Sequence, residues 1–406
     1  MTSAASEMAT PDFVALPPPL GMRRPHARTS VLHVAQPIDG GVPEYVCELA
    51  AEQHARGWTV VVATPRDSRA LARLQALGVA VDAWAATRAP SVDLADEVVR
   101  LRRLLARRAP TLVHLHSSKA GLVGRLAIRG RIPTVFQPHA WSFEAGRGVV
   151  RAGAEAWERA AARWADITLC VSEAERARGA DARIRARWRV IPNGVDVDRF
   201  RPLTATQRDE IRRELRLEGG PVAACVGRLA HQKGQDVLLE AWHIVRRRVP
   251  RASLVVVGTG PYERRLRAAA TPDVHFLGHR DDVPQLLGAA DVVAAPSRFD
   301  GMSLAVLEAM ACGRSVVATG VAGASEALAA EAGAIVPVED PEALANAIVA
   351  RLVDPARAAV EGRRGRARAE RSHDVRTTAA AVAELYSEVL EGRARVPAPV
   401  PLPVPG

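Results

Sequence analysis

The sequence of 406 residues contains no uninterrupted apolar run long enough to cross a lipid bilayer, and so predicts no transmembrane helix. Its first residues also lack the charged and then apolar pattern of a secretory signal, because Pro11 and Pro17–Pro19 interrupt them. Arg23 and Arg24 are not followed by an apolar stretch, which argues against a twin-arginine signal. We therefore expect a cytoplasmic protein.

Cysteine is scarce as well. The four cysteines are scattered and form no C-x-x-C pair, so the sequence offers no cysteine-based zinc site or redox pair. Most of them fall in apolar helix or strand patterns, where a free thiol behaves as a small apolar side chain. We expect buried, reduced thiols at these positions: Cys47, Cys170, Cys225 and Cys312.

Aromatic residues make up only 4% of the chain, and no nucleic-acid-binding motif occurs. The formal charge is nevertheless +10, mostly from arginine. A solvated surface produced by Ala/Arg-rich codon usage is the favoured interpretation. Attraction to an anionic surface is the alternative, with a membrane ranked above a nucleic acid. The sequence thus predicts no nucleic-acid partner, and the alternative places the protein peripherally at the inner membrane face.

Apolar strand patterns alternate with helical patterns along most of the chain, which predicts the α/β class with two Rossmann-like, doubly wound parallel sheets facing a central cleft. We expect a hinge near Asn193–Pro202. The predicted organisation is a disordered tail (1–28), an N-terminal acceptor domain (29–198), a C-terminal donor domain (199–374), a helix packing back on the first domain (375–392) and a Pro-rich tail (393–406).

The stretch from Pro296 to Thr319 organises this prediction. It reads as a strand end, a glycine turn, a helix over Leu304–Ala311 with Ser303 as N-cap, and a second strand. The free N–H groups of such a helix form an anion site. Glu308 borders the apolar face of the helix, where a carboxylate is costly unless it is paired or bound. A ligand contact and a rim glutamate capped by a nearby arginine are equally supported.

A second glycine-rich loop, Gly227–Gly234, follows the first strand of the second domain. Arg228, Lys233 and a helix N-terminus converge there, which favours binding of a diphosphate over a merely basic surface loop. The loop is not a Walker motif, because Lys233 precedes Gly234 and no Ser or Thr follows. The turn at Gly258 fails the G-x-G-x-x-G pattern, which weakens a nicotinamide-dependent oxidoreductase reading.

Four further features need interpretation. His114 and His116 share one face of a strand; a packed or hydrogen-bonded pair is favoured over a metal pair, because no third ligand is obvious. His139 follows a strand, with functional and structural roles evenly balanced. The sequence Asp196–Asp198 has the D-x-D form but lies in the expected hinge, so we interpret it as linker. The helix at Arg151–Arg163 is compatible with a membrane-facing amphipathic role.

Together these stretches resemble family 4 of the retaining, nucleotide-sugar-dependent glycosyltransferases, which have the GT-B fold. The matching segments span most of residues 30–350: Gly40-Gly41, His116–Gly121, Val171–Glu173, Ile191–Asp196, Gly227-Arg228, Lys233-Gly234, Gly258–Gly260 and Asp300–Gly313.

The resemblance implies specific roles. Arg228 and Lys233 match the basic pair that holds the donor diphosphate, and Glu308 matches the carboxylate that binds the donor ribose. Asp300 stands where the family usually has Glu, which puts its contact with the donor sugar in doubt. The implied catalytic residues are Arg228, Lys233, Asp300 and His139; the donor-binding residues Gly41, Gly227, Arg228, Lys233, Gly258, Asp300, Gly301, Met302, Ser303, Leu304 and Glu308; and the acceptor-binding residues Gly40, Ser117, Lys119 and His139.

The resemblance also implies a reaction. A hexose moves from a nucleotide-diphosphate sugar, with a UDP-sugar favoured, to a hydroxyl of a lipid-linked glycan or exopolysaccharide precursor. The anomeric configuration is kept, and neither a metal nor another cofactor is needed. The alternative, from another functional class, is a protein that binds a nucleotide sugar without transferring it. In that case Asp300 marks a catalytic position that has lost its function.

Overall fold

The computed structural model describes residues 29–68, 70–87, 93–217, 219–329 and 331–394. The predicted N-terminal tail (1–28) and all but the first two residues of the predicted Pro-rich tail lie outside these residues. The described residues form two parallel sheets, and the predicted α/β class with two doubly wound sheets is confirmed.

The first sheet has seven strands in the order β3-β2-β1-β4-β5-β6-β7. Its five inner strands are mostly buried, whereas the edge strands β3 and β7 contain no buried residue, and β4 (Leu-Val-His-Leu-His) is buried along its whole length. The strands are β1 (Ser30–Ala35), β2 (Thr59–Thr64), β3 (Ala80–Ala83), β4 (Leu112–His116), β5 (Thr134–Gln137), β6 (Ile167–Cys170) and β7 (Trp188–Val190). The helices of this half are α1 (Gly41–Ala55), α2 (Ala70–Ala76), α3 (Leu94–Arg108), α4 (Ser117–Ile128), α5 (Gly148–Ala161) and α6 (Glu173–Asp181).

The second sheet has six strands in the order β10-β9-β8-β11-β12-β13. The strands are β8 (Val222–Val226), β9 (Ser253–Val257), β10 (Val274–Gly278), β11 (Val292–Ala295), β12 (Ser315–Thr319) and β13 (Gly333–Val336). The helices of this half are α7 (Ala205–Glu214), α8 (Gln235–Arg248), α9 (Glu263–Ala269), α10 (Val283–Ala289), α11 (Leu304–Ala311), α12 (Ala324–Leu328), α13 (Pro341–Leu352) and α14 (Pro355–Ser372). Helix α11 has the bounds that the sequence predicts.

The last helix, α15 (Val375–Ala394), lies against the first sheet's half of the molecule. The Tyr386 hydroxyl is 2.6 Å from Nδ1 of His114, and Arg393 forms a bidentate ion pair with Asp166 at 2.6 and 2.9 Å. The chain therefore crosses between the two halves twice, once before α7 and once before α15. The domain limits inferred from the sequence stay predictions.

The helix that the sequence places at Arg151–Arg163 is present as α5, with different bounds. The chain makes a 3₁₀ turn at Ser142–Ala145, breaks, forms α5 and ends in a second 3₁₀ turn at Ala162–Trp164. The break falls at Gly146 and Gly148, and Gly148 has a left-handed φ of 53°. Glycine at such a conformation interrupts a helix at low steric cost, while its lack of a side chain weakens helix propensity.

Candidate active site

In both sheets the order in which successive strands are added reverses at an equivalent position. The switch lies between β1 and β4 in the first sheet and between β8 and β11 in the second. Open parallel sheets bind ligands beyond the carboxyl ends of the strands at such a point. The loops that carry most of the predicted site residues follow these four strands, so the fold brings them to one cleft.

The cleft between the two halves is open to solvent, and its empty space together with that open solvent is about 1050 Å³. Most of the donor-binding residues inferred from sequence line it. They are Gly41, Gly227, Arg228, Lys233, Gly258, Ser303, Leu304 and Glu308, together with Gly40 from the acceptor set. Asp300, Gly301, Met302, His139, Ser117 and Lys119 are not among the lining residues.

Lys233 is held by backbone geometry that requires glycine next to it. The lysine ends a 3₁₀ turn at His231–Lys233, and Gly234 then adopts a φ of 64° at the start of α8. A Cβ on Gly234 would lie 2.0 Å from the carbonyl oxygen of Pro296, so no larger residue fits. The same turn places Nζ of Lys233 2.5 Å from Oδ2 of Asp300. The loops after β8 and β11 are thereby joined by an ion pair at the cleft.

Arg228 faces the other half of the molecule. Its Nε lies 3.8 Å from Oδ1 of Asp39, in the loop between β1 and α1. Both side chains are about one-fifth exposed, so the charges are partly shielded from water. Asp39 was not among the residues singled out from sequence, although it directly precedes Gly40 and Gly41. Arg228 on one side of the cleft is therefore close to the carboxylate of Asp39 on the other side.

Gly227 and Gly258 lie at neighbouring strand ends and touch each other. A Cβ on Gly258 would lie 2.1 Å from the carbonyl oxygen of Gly227, and both residues have positive φ. The backbone N–H of Gly227 donates to Val257, which keeps the two loops side by side. The absence of side chains here leaves the floor of the cleft as bare backbone.

Helix α11 brings its N-terminus to the cleft and meets the first half of the molecule there. A Cβ on Gly41 would lie 3.7 Å from the Leu304 side chain, and a Cβ on Gly301 would lie 2.7 Å from the carbonyl oxygen of His139. Ser303 occupies the N-cap position, but its side chain makes no capping hydrogen bond within the described part of the chain. The first N–H groups of α11 are therefore without that side-chain acceptor.

Met302 is buried, and its carbonyl oxygen accepts a hydrogen bond of 2.7 Å from Nδ2 of Asn193. Asn193 belongs to the connection between the two halves and was missed as a site residue. Close by, Oδ1 of Asp196 accepts hydrogen bonds from the N–H groups of Asp198 and Arg199, both at 3.0 Å. The D-x-D sequence is therefore a turn in the connection.

Glu308 is the acidic residue of the cleft whose proton affinity is most relevant to ligand binding. Burial raises its pKa to about 7, and the Glu44 carboxylate raises it further, while Arg199, Arg73 and Lys233 oppose the shift. Within the described residues its carboxylate makes no hydrogen bond. Burial likewise raises the pKa of the neighbouring Glu48 to about 8, with Glu308 itself adding to that shift. The cleft thus holds carboxylates that titrate near neutral pH.

His139 stands at the contact between the halves. Its φ of 60° and the φ of 158° at Ala140 are unusual for residues with side chains, and such strain persists where the surroundings enforce it. Nε2 of His139 lies 3.2 Å from Nδ1 of His116, and burial lowers the pKa of His139 to about 3. The imidazole is therefore neutral at physiological pH.

Ser117 and Lys119, which the sequence assigns to acceptor binding together with His139, lie in α4 and do not line the cleft. Lys119 is buried in helix α4, with Nζ 2.6 Å from Oε2 of Glu97 in α3. Ser117 opens α4 with a φ of 74°, and its Oγ has no hydrogen-bond partner in the described structure. An acceptor role for these two residues stays a prediction, and the ammonium of Lys119 already has a structural partner.

The histidines of β4 have a neighbour that the sequence did not reveal. His33 of β1 lies opposite His114 in the sheet register, and ring nitrogens of His33, His114 and His116 lie within 4.8 Å of one another. A third nitrogen ligand thus exists, contrary to the sequence reading. Strand pairing between β1 and β4 brings it there, and no sequence spacing encodes that pairing.

Comparisons with known proteins agree with this geometry. Residues 39–199 match the family described as Glycosyltransferase Family 4, and residues 220–354 match the family described as Glycosyl transferases group 1. The two matched segments correspond to the two halves that form the cleft.

Two relatives illustrate the match. A GDP-mannose-dependent alpha-(1-6)-phosphatidylinositol monomannoside mannosyltransferase of Mycobacterium tuberculosis is 34% identical over 300 residues, 68% of this chain and 74% of that protein. A GDP-mannose-dependent monoacylated alpha-(1-6)-phosphatidylinositol monomannoside mannosyltransferase of Corynebacterium glutamicum is 38% identical over 193 residues, 44% of this chain. The second match spans about half of that relative, 51% of its length.

A solved structure shares the fold over its whole length. The Anabaena protein HepE, in complex with UDP and glucose, superposes with a TM-score of 0.78 at 25% identity, covering 89% of this chain and 100% of that one. The fold, the order of the loops around the cleft and the sequence matches lead to one conclusion: the chain belongs to family 4 of the glycosyltransferases, with the two-sheet GT-B architecture.

Proposed function

We propose that the protein transfers a hexose from a nucleotide-diphosphate sugar to a hydroxyl group of a glycolipid or lipid-linked glycan, with retention of the anomeric configuration and without a metal ion. The observation that carries this proposal is the meeting of Arg228, Lys233 and the N-terminus of α11 at one cleft, with α8 beginning two residues after Lys233. These groups suit a diphosphate whose negative charge grows as it leaves the sugar.

GDP-mannose is our first choice of donor. The two relatives at 34% and 38% identity are named as GDP-mannose-dependent, whereas the UDP-containing neighbour is 25% identical. The UDP-sugar favoured from sequence alone has not been tested. The base-binding part of the cleft therefore needs a direct experiment.

The proposed mechanism assigns one task to each group. Lys233 and Arg228 stabilise the departing diphosphate, and the exposed N–H groups at the start of α11 add to that stabilisation. Glu308 accepts hydrogen bonds from the donor ribose. The acceptor hydroxyl attacks from the face that the diphosphate leaves, so the C1–O bond to phosphate breaks as the new C1–O bond forms, and a diphosphate oxygen takes the hydroxyl proton.

A thermal-shift screen tests the donor. We expect GDP and GDP-mannose to raise the melting temperature more than UDP, ADP and their sugars, because ligand binding to the folded state stabilises it by mass action. A larger shift with UDP-glucose would replace GDP-mannose by a UDP-hexose. No shift with any nucleotide would contradict a donor site in this cleft.

Product analysis tests the reaction. Purified protein, donor and phosphatidylinositol monomannoside or a lipid-linked glycan should give an α-linked product from an α-linked donor, at a rate unchanged by EDTA. Loss of activity with EDTA would overturn the metal-independent mechanism. Donor binding without consumption across all acceptors would favour the non-catalytic alternative.

A further inference from the structure

Four histidines form a connected group that runs from the interior of the first sheet to the cleft. His33, His114 and His116 are fully buried on adjacent strands β1 and β4. Helix α1 contributes Gln53 to this group, and α15 contributes Tyr386. His139, half-buried at the contact between the two halves, is the end nearest the cleft.

Three of the histidines are linked in series. Nε2 of His33 lies 2.8 Å from Oε1 of Gln53, and Nδ1 of His33 lies 3.0 Å from Nε2 of His116. Nδ1 of His116 lies 3.2 Å from Nε2 of His139. Tyr386 bonds to Nδ1 of His114 and also interacts with the Gln53 side chain, so it contacts the series without being one of its links.

With Oε1 of Gln53 facing His33, donor and acceptor chemistry assigns one tautomer to each ring of the series. An amide oxygen only accepts, so His33 must carry its proton on Nε2 to donate to Gln53. A neutral His33 then has a lone pair on Nδ1, which requires a proton on Nε2 of His116. The lone pair on Nδ1 of His116 requires, in turn, a proton on Nε2 of His139.

The premise that the rings are neutral rests on their burial. Burial lowers the pKa of His33 to about 4, and it lowers the pKa values of His114 and His116 well below the ordinary value. Each neutral imidazole has one donor and one acceptor nitrogen, so the tautomer of His33 determines the tautomers of His116 and His139.

We infer that Gln53, His33 and His116 are positioning residues that hold His139 in the Nε2–H tautomer, so that its Nδ1 accepts a hydrogen bond from a hydroxyl of the bound sugar or acceptor. Nδ1 of His139 makes no hydrogen bond to the described residues. The inference rests on the proposed function, because that function supplies the sugar donor and the hydroxyl acceptor that His139 is inferred to contact. The carbonyl of His139 also abuts Gly301, next to Asp300.

A metal ion on the same nitrogens is the competing explanation. His33, His114 and His116 are close enough to share one, and Nε2 of His114 has no partner among the described residues. None of the contacts of this group involves a carboxylate, so a divalent cation would bring uncompensated charge into a fully buried place. The 3.0 Å His33–His116 contact is accounted for by a hydrogen bond without an ion.

Nitrogen NMR of purified protein tests the inference without any activity measurement. In protein labelled with ¹⁵N-histidine, two-bond ¹H–¹⁵N correlations distinguish Nε2–H from Nδ1–H rings, and single His→Gln variants assign them. We expect His33, His116 and His139 all to be Nε2–H. An Nδ1–H tautomer at His139, or stoichiometric zinc, nickel or iron in the purified protein by mass spectrometry, would overturn the inference.

Two variants separate positioning from packing. Gln53→Leu removes the amide acceptor and should give a mixture of tautomers at His139. Tyr386→Phe removes the hydroxyl that contacts His114 and Gln53 but leaves the Gln53 Oε1 acceptor of the series in place, so His139 should stay Nε2–H. A merely structural role predicts the same response in both. If Gln53→Leu does not fold, His33→Phe breaks the series at its next link and takes its place.

Steady-state kinetics of the same two variants are measured after the NMR spectra. We expect Gln53→Leu to lower kcat roughly 10–100-fold with little change in the donor KM, as for other orienting partners, and Tyr386→Phe to leave kcat nearly unchanged. An unchanged kcat in a variant with mixed tautomers would overturn the link to substrate. If His139 is Nε2–H but the protein has no transferase activity, the proposed function is refuted and the tautomer assignment stands.

Discussion

At the scale of single residues, the most informative contact is the ion pair between Lys233 and Asp300. The family resemblance leads one to expect Glu at position 300, and the shorter Asp is in direct contact with the lysine of the other glycine loop. Ser297 lies 3.5 Å from the same carboxylate oxygen. The pair positions Lys233 at the cleft, and a diphosphate would then compete with Asp300 for the ammonium.

Replacing Lys233 by Ala tests the diphosphate role. We expect kcat to fall roughly 10²–10³-fold, because a charge aimed at the leaving group contributes most in the transition state. The fold should survive, since the lysine side chain is partly exposed. Steady-state kinetics and circular dichroism check both points. His231→Ala, an exposed change in the same turn, is the control, and wild-type turnover in Lys233→Ala would refute the role.

The raised pKa of Glu308 predicts a pH dependence of donor binding. Hydrogen bonds from ribose hydroxyls require the ionised carboxylate, so affinity for a nucleotide sugar should rise with pH, by up to about tenfold per unit, until it levels off above pH 7. Calorimetric titrations between pH 5.5 and 8.5 measure this. A nucleotide sugar is the right ligand, because its diphosphate has no group that titrates in this range.

The raised pKa of Glu308 also affects stability, which should fall as pH rises, whereas donor affinity should increase. Between pH 4.5 and about 7 the native protein keeps a proton on Glu308 that the unfolded chain has released, so this residue makes the free energy of unfolding fall as pH rises through that window. Glu308→Gln should flatten both profiles. Because the pKa values of Glu48 and Glu175 are also raised to about 8, a smaller slope of the stability profile should remain in the variant from pH 4.5 to about 8. An unchanged binding profile in Glu308→Gln would rule out the ribose role.

At the scale of secondary-structure elements, buried ion pairs join the helices that flank the first sheet. Lys119 of α4 pairs with Glu97 of α3, and Arg125 of α4 pairs with Glu158 of α5 at 2.8 Å; all four side chains are at most 3% exposed. The Arg125 guanidinium also lies 3.9 Å from the centre of the Phe136 ring. These contacts fix α4, whose first residue, Ser117, stands at the switch point of the sheet.

Lys119→Met should therefore act on stability first. Removing the ammonium leaves Glu97 buried without its ion-pair partner, which costs about 3–5 kcal/mol of unfolding free energy. Denaturant titration measures the loss. Arg151→Met, which breaks the exposed pair with Glu155 on α5, is the matched control and should cost less than about 1 kcal/mol. A stable Lys119→Met protein with a raised acceptor KM would instead support the acceptor role inferred from sequence.

At the scale of the whole molecule, the proposed lipid acceptor requires an approach to a membrane. Among the residues that the structure describes, every helix is too short or too polar to span a bilayer. The surface carries excess positive charge, and α5 begins with two exposed apolar side chains, Val149 (89% exposed) and Val150 (71%), between Arg147 and Arg151. Apolar side chains flanked by arginines are suited to an anionic lipid surface.

Flotation with vesicles containing anionic lipid tests this surface. We expect binding at low salt that weakens as ionic strength rises, because the attraction is largely electrostatic. The double change Val149→Asp and Val150→Asp should lower the bound fraction at least about threefold by adding like charge. Val353→Asp, at a site 62% exposed on the second half, is the matched control. Absence of wild-type binding at low salt would remove the membrane proposal.

Sequence patterns captured the elements well where apolar periodicity and glycine signals were local. The bounds of α11 were predicted, as were the buried thiols. A local contact also caps α6, where the N–H of Glu175 donates to Oγ of Ser172 and the Glu175 carboxylate accepts from the N–H of Val171. Local signals could not fix the contacts Arg228–Asp39, Asn193–Met302 or His33–His116, whose partners are 83 or more residues apart in sequence.

By itself, the sequence determined the α/β class, the family and the two glycine loops that bind a diphosphate in our proposal, because those features follow from short-range periodicity and from residues that only particular turns accept. The tertiary structure decided which charges are already paired, which carboxylates titrate near neutral pH and how the histidines are linked. Those properties depend on burial and on distances across the sheet and the cleft. They exist only once remote strands and helices are brought together.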